Sequence, residues 1–260
     1  MPYVSSRARI LTLCSAVVVA LLCVAAFAPL PVTIAYPGMT ANVLGSSGGQ
    51  KVITITGTPT RKTSGQLRMV TIEATAPNAP VHFLDVAKAW FRTDEAAMPR
   101  SAVYQGSAKQ ADQVNAQEMQ QSQDAATSAA LGHLGLSSKK VHVDLTLAGV
   151  GGPSAGLMFT LGIIDSIDGN GHGGDLSGGR VIAGTGTITA NGTVGAVGGV
   201  PLKEQAARQD GATVFLTPKA ECADAKALPP AGLKVIPVTS LDNALSVLAT
   251  LNSGGKVPSC

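Results

Sequence analysis

Aromatic side chains make up only 3% of this 260-residue sequence and charged ones 13%, so it offers few surfaces on which bases or sugars could stack. The formal net charge of +3 is spread along the chain without a basic block that could follow a phosphate backbone, and nucleic acid is excluded as an expected partner. Four cysteines and four histidines are present, but no Cys-x-x-Cys pair, so neither a metal nor any other cofactor is expected. A Gly-x-x-x-x-Gly-Lys-Ser/Thr phosphate loop is also missing, and these 260 residues carry no ATPase module.

What the sequence does have is apolar, at 45% of residues, enough for one well-buried domain with an anchor. Arg7 and Arg9 precede an apolar run, Ile10 to Ala28, whose nineteen residues would span roughly 28 Å as a helix, close to a bilayer's hydrocarbon core. No further Lys or Arg occurs until Lys51, so the N-terminus is expected in the cytoplasm and the rest of the chain outside it. Ala26-Phe27-Ala28 has the small-x-small form of a signal-peptidase site, but Pro29 follows it, and a retained single-pass anchor in the cell membrane is the favoured reading. Cys14 and Cys23 lie in the span, whereas Cys222 and Cys260 fall on the oxidising side, where their pairing is left open.

Pro29 to Gln50, rich in Pro, Gly and Ser, reads as a stalk. The segments around Lys51–Gly57 and Leu67–Thr75 read as two strands of a hairpin flanking the turn-rich Gly57–Gly65. Gln110–Leu131 lacks Gly and Pro and predicts a long helix with a glutamine-rich solvated side. In the strand Val141–Leu147, the odd positions Val141, Val143, Leu145 and Leu147 should face inward. Ala155–Ile167 is apolar nearly all round and should be a buried helix, followed by a mobile glycine-rich loop, Asp168–Gly179. Asn191-Gly192 marks a hairpin between Arg180–Thr189 and Thr193–Val197, and Pro201 opens a helix running to about Gln209. Strands Thr213–Thr217 and Leu233–Val238 and a helix Leu241–Leu251, capped by Thr239 or Ser240, complete a mixed α/β (α+β) fold. The expected organisation is a cytoplasmic segment 1–9, a span 10–30, a stalk 31–50, a catalytic domain 51–252 and a tail 253–260.

Two short stretches carry the chemistry. Ser154, in Gly151-Gly152-Pro153-Ser154-Ala155-Gly156, places a hydroxyl on a tight turn just before a helix, where unpaired backbone N–H groups can face an oxyanion. Gly151 and Gly152 are the expected oxyanion-hole neighbours, since no side chain there would block a substrate carbonyl. Lys203, in the first turn of its helix, can act as a general base if burial and the helix dipole lower its pKa. The same Gly-x-Ser-x-Gly pattern fits the nucleophile elbow of α/β-hydrolases, but the only histidine after Ser154 is His172, with Asp165 or Asp168 cramped before it. Ser154 as a simple N-cap is the structural alternative.

In the order Gly152-Pro153-Ser154-Ala155-Gly156, Thr185-Gly186-Thr187-Ile188, Gly192, Gly198-Gly199 and Lys203, the chain resembles the proteolytic domain of Lon-type serine proteases. Gly65-Gln66-Leu67 with Thr71-Ile72-Glu73-Ala74 is similar to that family's opening hairpin. The resemblance implies mixed sheets with packed helices behind one transmembrane helix, Ser154 as nucleophile, Lys203 as general base and Thr185 orienting the amine. His142 matches a histidine of some relatives and is read as structural. The chain departs from the family where Gly151 replaces an acidic residue, and the PDZ module of exported Lon-like proteins has only Gly132–Lys140 in its place. The implied function is ATP-independent hydrolysis of unfolded or flexible polypeptides outside the cytoplasm, with a homo-oligomer compatible with the resemblance. The competing reading is an inactive Lon-like envelope scaffold.

Overall fold

The computed structural model describes residues 6–104, 108–147 and 150–260. Of the expected segment 1–9, residues 1–5 lie outside the described residues, as do 105–107 and 148–149 of the expected catalytic domain. The chain divides into two compact units, Met1–Ala35 with Ala74–Gln105, and Tyr36–Glu73 with Gly106–Cys260. These boundaries differ from the expected 51–252, because residues 74–105 are grouped with the N-terminal helix and not with the catalytic motifs.

In the smaller unit, Ser6–Phe27 is a 22-residue helix, long and apolar enough to cross a membrane. Past its end, the Leu30 N–H donates to the Val81 carbonyl (2.8 Å), and Val32–Ala35 pairs antiparallel with Ala96–Pro99. Ile34, Val81 and Ala89 form a small core beneath the helix Phe83–Trp90. The stalk expected over 31–50 is corrected here, since Val32–Asn42 is an eleven-residue strand. Pro37-Gly38 in its middle gave the segment the look of a linker, yet Val32, Thr33, Ile34 and Tyr36 suit a strand, and Thr33, Ile34, Ala35 and Ala41 are buried.

The larger unit is built on parallel strands. Gln66–Ala74, Val181–Gly184, Val214–Pro218 and Lys234–Val238 lie side by side in that order, each pair parallel. Alternation along these strands gives the sheet two apolar faces. Leu67, Met69, Ile182, Leu216 and Ile236 join the core around helix Gly156–Ile167, while Val70, Ala183, Phe215 and Val235 join a second core with helix Val200–Gln209. Helix Gly156–Ile167 is buried throughout Gly156–Asp165, as its all-round apolar sequence requires, and packs against the long helix Ala108–His133. Leu241–Asn252 is capped by the Ser240 hydroxyl, which accepts from the Asn243 N–H (3.1 Å).

Two local expectations fail for one reason. Ile53–Thr56 does not form a hairpin with Gln66–Ala74; it pairs antiparallel with His142–Leu145, while Gln66–Ala74 pairs with Val181–Gly184. Between the two segments, Arg61 reaches instead across the fold, donating to Asp175 Oδ1 (2.8 Å) and Asp165 Oδ1 (3.3 Å). The same ion pairs pin the loop read as mobile, and Ser64 also donates to Asp175. Asn252 Nδ2 holds the Leu176 carbonyl (3.0 Å) from the other side. Sequence spacing reported the turn residues but not the long-range carboxylates that bind them.

Cys222 and Cys260 form a disulfide over a separation of 38 residues. It ties the C-terminal residues to the second core, where the Cys260 N–H donates to the Val235 carbonyl (3.2 Å). Replacing both cysteines with serine is expected to lower the unfolding free energy by about 4 kcal/mol through the freed loop entropy of the unfolded chain. Denaturant midpoints of the two proteins measure this.

Candidate active site

The site forms where the parallel strand Val181–Gly184 ends. Helix Gly156–Ile167 belongs to the core on one face of the sheet and helix Val200–Gln209 to the core on the other. Carboxyl ends of parallel strands are where α/β sheets place functional groups. Here Thr185-Gly186, immediately after the strand, touches both helices.

On one side, the Gly186 N–H donates to the Ser154 carbonyl (3.0 Å), and the Leu157 N–H donates to the Gly186 carbonyl (3.1 Å). Thr185 Oγ1 donates to the same Ser154 carbonyl at 3.3 Å. On the other side, Lys203 Nζ donates to Thr185 Oγ1 at 3.2 Å. The structure thus brings Ser154, Thr185 and Lys203 together, with Thr185 as the bridge. No direct hydrogen bond joins the Ser154 hydroxyl to the Lys203 amine; the link runs through Thr185 to the serine backbone.

Lys203 is only 3% exposed. Burial lowers its pKa from 10.5 to about 8, and the nearby Glu221 charge opposes the shift without cancelling it. Pro201 opens its helix, and Gly199 is the preceding residue in the left-handed region, φ +71°. A side chain at 199 would also press on Ile72, its Cβ 3.0 Å from Ile72 Cγ2, so glycine is needed there twice over.

The nucleophile turn is braced by the long helix. The Ser122 hydroxyl donates to the Pro153 carbonyl (3.0 Å), and the Gly152 N–H donates to the Asn115 carbonyl (3.0 Å). Gly152 has φ +86°, and a Cβ at Gly151 would lie 2.7 Å from Asn115 Cβ. That proximity explains why the acidic residue common in the resembling family has no room at 151. The Gly152 N–H is already engaged, whereas the N–H groups of Gly151, Ser154, Ala155 and Gly156 donate to no partner among the described residues.

The hydrolase-type triad finds no support. Asp165 lies nine residues along the helix from Gly156, about 14 Å away, and is held by Arg61 and the Leu176 N–H (2.8 Å). Burial, helped by the Asp175 charge, raises its pKa to about 6 against the pull of Leu176 and Arg61. His172 sits in the loop beyond it, and His142 is exposed on its strand.

Sequence reasoning missed Asn115, Ser122 and Glu204. The buried stripe Ala111, Met119, Ser122, Ala126, Ala129 and Ala130 shows that the helix read mainly for its solvated face turns Ser122 inward, and its near-helical spacing was the available signal. Glu204 is completely buried, and neither carboxyl oxygen has a hydrogen-bond partner among the described residues. Burial pushes its pKa up from 4.5 to about 8. Thr217 Oγ1 is likewise buried without a partner among the described residues.

The site thus consists of a serine on a polar turn at the mouth of a buried helix, a buried amine and a threonine that bridges them on a parallel α/β sheet. Residues 110–251 match the family model of the Lon protease (S16) C-terminal proteolytic domain, and the chain belongs to that family. Serine peptidase activity is the activity of the family. The match takes in Ser154, Thr185 and Lys203, and leaves Gln66–Ala74 and everything before it outside. A comparison with curated proteins found no match.

Proposed function

We propose that this protein is an ATP-independent serine endopeptidase in which Ser154 is the nucleophile and Lys203 the general base. The observation that carries the reading is the buried amine held against Thr185, whose hydroxyl also grips the backbone of Ser154. With a pKa of about 8, about a tenth of the lysine is neutral at pH 7 and can accept the seryl proton as the oxygen attacks a peptide carbonyl. The resulting ammonium then protonates the leaving amine, and the same amine activates the water that releases the acyl group. Free N–H groups at Ser154 and Ala155 suit the oxyanion of both steps.

Substrates would be extended polypeptides. His142–Leu145 pairs with Ile53–Thr56 along one edge, and Gln120, Gln123, Asp124 and Thr127 line a cavity of about 210 Å³ with Asp144 of the strand and Thr146 just past it. An extended chain added along such an edge would be held by main-chain hydrogen bonds. The disulfide and the N-terminal helix support a single-pass anchor with the catalytic unit in an oxidising, extracytoplasmic compartment. Expected domains are then a span at 10–30 and a proteolytic domain beyond it.

The absence of a direct Ser154–Lys203 hydrogen bond favours one second reading, a scaffold with the family fold that cleaves nothing. Incubating the full chain in detergent with an unfolded protein, without nucleotide, separates the two. Cleavage should appear, rise with pH through about 8 as Lys203 loses its proton, and vanish in Ser154→Ala. Equal cleavage by the parent and Ser154→Ala would defeat the peptidase reading.

A further inference from the structure

We propose that the helix Phe83–Trp90, with Phe91 at its end, is a membrane-docking face that inserts its aromatic side chains into the lipid headgroup region beside the N-terminal span. Trp90 is 83% exposed and Phe91 88%, with Phe83 and Leu84 also open to solvent. On a period of 3.6 residues these four share one side of the helix with Ala87, while Val86 and Ala89 face the small core of their unit. Apolar residues therefore cover both sides. Only the inner side has a protein partner among the described residues.

The occupant follows from where the helix is fixed. It packs beside Ser6–Phe27, and the Leu30 N–H, three residues past that helix, holds the Val81 carbonyl two residues before Phe83. The aromatic face is thereby continuous with the point at which the chain leaves the bilayer. Three of the chain's nine aromatic residues, including its one tryptophan, fall within these nine positions. Tryptophan and phenylalanine in that place match the interfacial belt, where an apolar ring meets a wet boundary. Charges alongside nearly cancel: Lys88 lies near Asp85, and Arg92 is paired with Asp94 (2.9 Å) and Glu95 (2.8 Å). Contact should rest on the rings and need no anionic lipid.

The proposal rests on reading Ser6–Phe27 as a retained span, and the test keeps the two apart. Because Trp90 is the only tryptophan, its fluorescence in the full chain reconstituted in phosphatidylcholine vesicles reports this face alone. The expected result is emission to the blue of the urea-unfolded chain, weak quenching by aqueous iodide, and stronger quenching by lipid brominated near the headgroup than near the chain ends. Emission typical of water with free access to iodide, from a chain that resists alkaline washing, overturns docking and leaves the span intact. Blue emission insensitive to every brominated lipid also overturns it, assigning the face to a protein partner or a second copy. A chain that washes off the vesicles overturns both readings.

Discussion

Lys203→Met is expected to lower peptide cleavage by about 10⁴-fold or more and, in the same protein, to make the fold more stable. The first effect follows if the amine is the base, since methionine cannot take the seryl proton. The second follows from burial: a lysine whose pKa falls from 10.5 to about 8 carries its proton at neutral pH at a cost of about 3 kcal/mol relative to the unfolded chain. Methionine has a similar length and no charge, so it relieves that cost. Denaturant midpoints and cleavage of an unfolded substrate, measured on one preparation, should move in opposite directions. A variant that loses activity and stability together would mean that Lys203 acts chiefly as a structural residue.

Glu204→Gln should show its effect through pH. From about pH 4.5 to 8, the folded Glu204 carboxyl keeps a proton that the unfolded chain has already released, so stability falls as pH rises. Asp165 adds the same slope between 3.8 and about 6. From about pH 8 to 10.5, Lys203 reverses it, because the folded amine has lost a proton that the unfolded chain still holds. Stability should therefore pass through a minimum near pH 8. Glu204→Gln should match the parent near pH 5 and exceed it by on the order of 3 kcal/mol near pH 8, since the amide never has to ionise in the core. Parallel pH profiles for the two proteins would show that Glu204 keeps an ordinary pKa in the folded state.

Both predictions concern adjacent residues of one helix, Lys203 at 3% exposure and Glu204 fully buried. Two buried ionisable groups side by side are costly, and only one of them has a part in the proposed chemistry. Glu204 falls four residues after Val200 and three before Ala207, both buried, so helical spacing already placed it on the inward face. What spacing could not tell was that no donor waits there.

Much of the chain was legible in its residues. The buried helix Gly156–Ile167, the long helix after residue 108, the Asn191-Gly192 turn and the Ser240 cap follow from periodicity, turn chemistry and capping, which act over a few residues. The strand Val32–Asn42 and the partner of Ile53–Thr56 were not legible, because Pro37-Gly38 interrupts the first and strand pairing is decided by segments far away in the chain. Local sequence alone fixed which residues could do chemistry: a serine on a glycine-rich turn and a lysine behind a helix-opening proline. Only the tertiary structure decided that Thr185, at the end of a strand, links the Lys203 amine to the backbone of Ser154, with the helices that follow and carry these residues packed in cores on opposite faces of a parallel sheet.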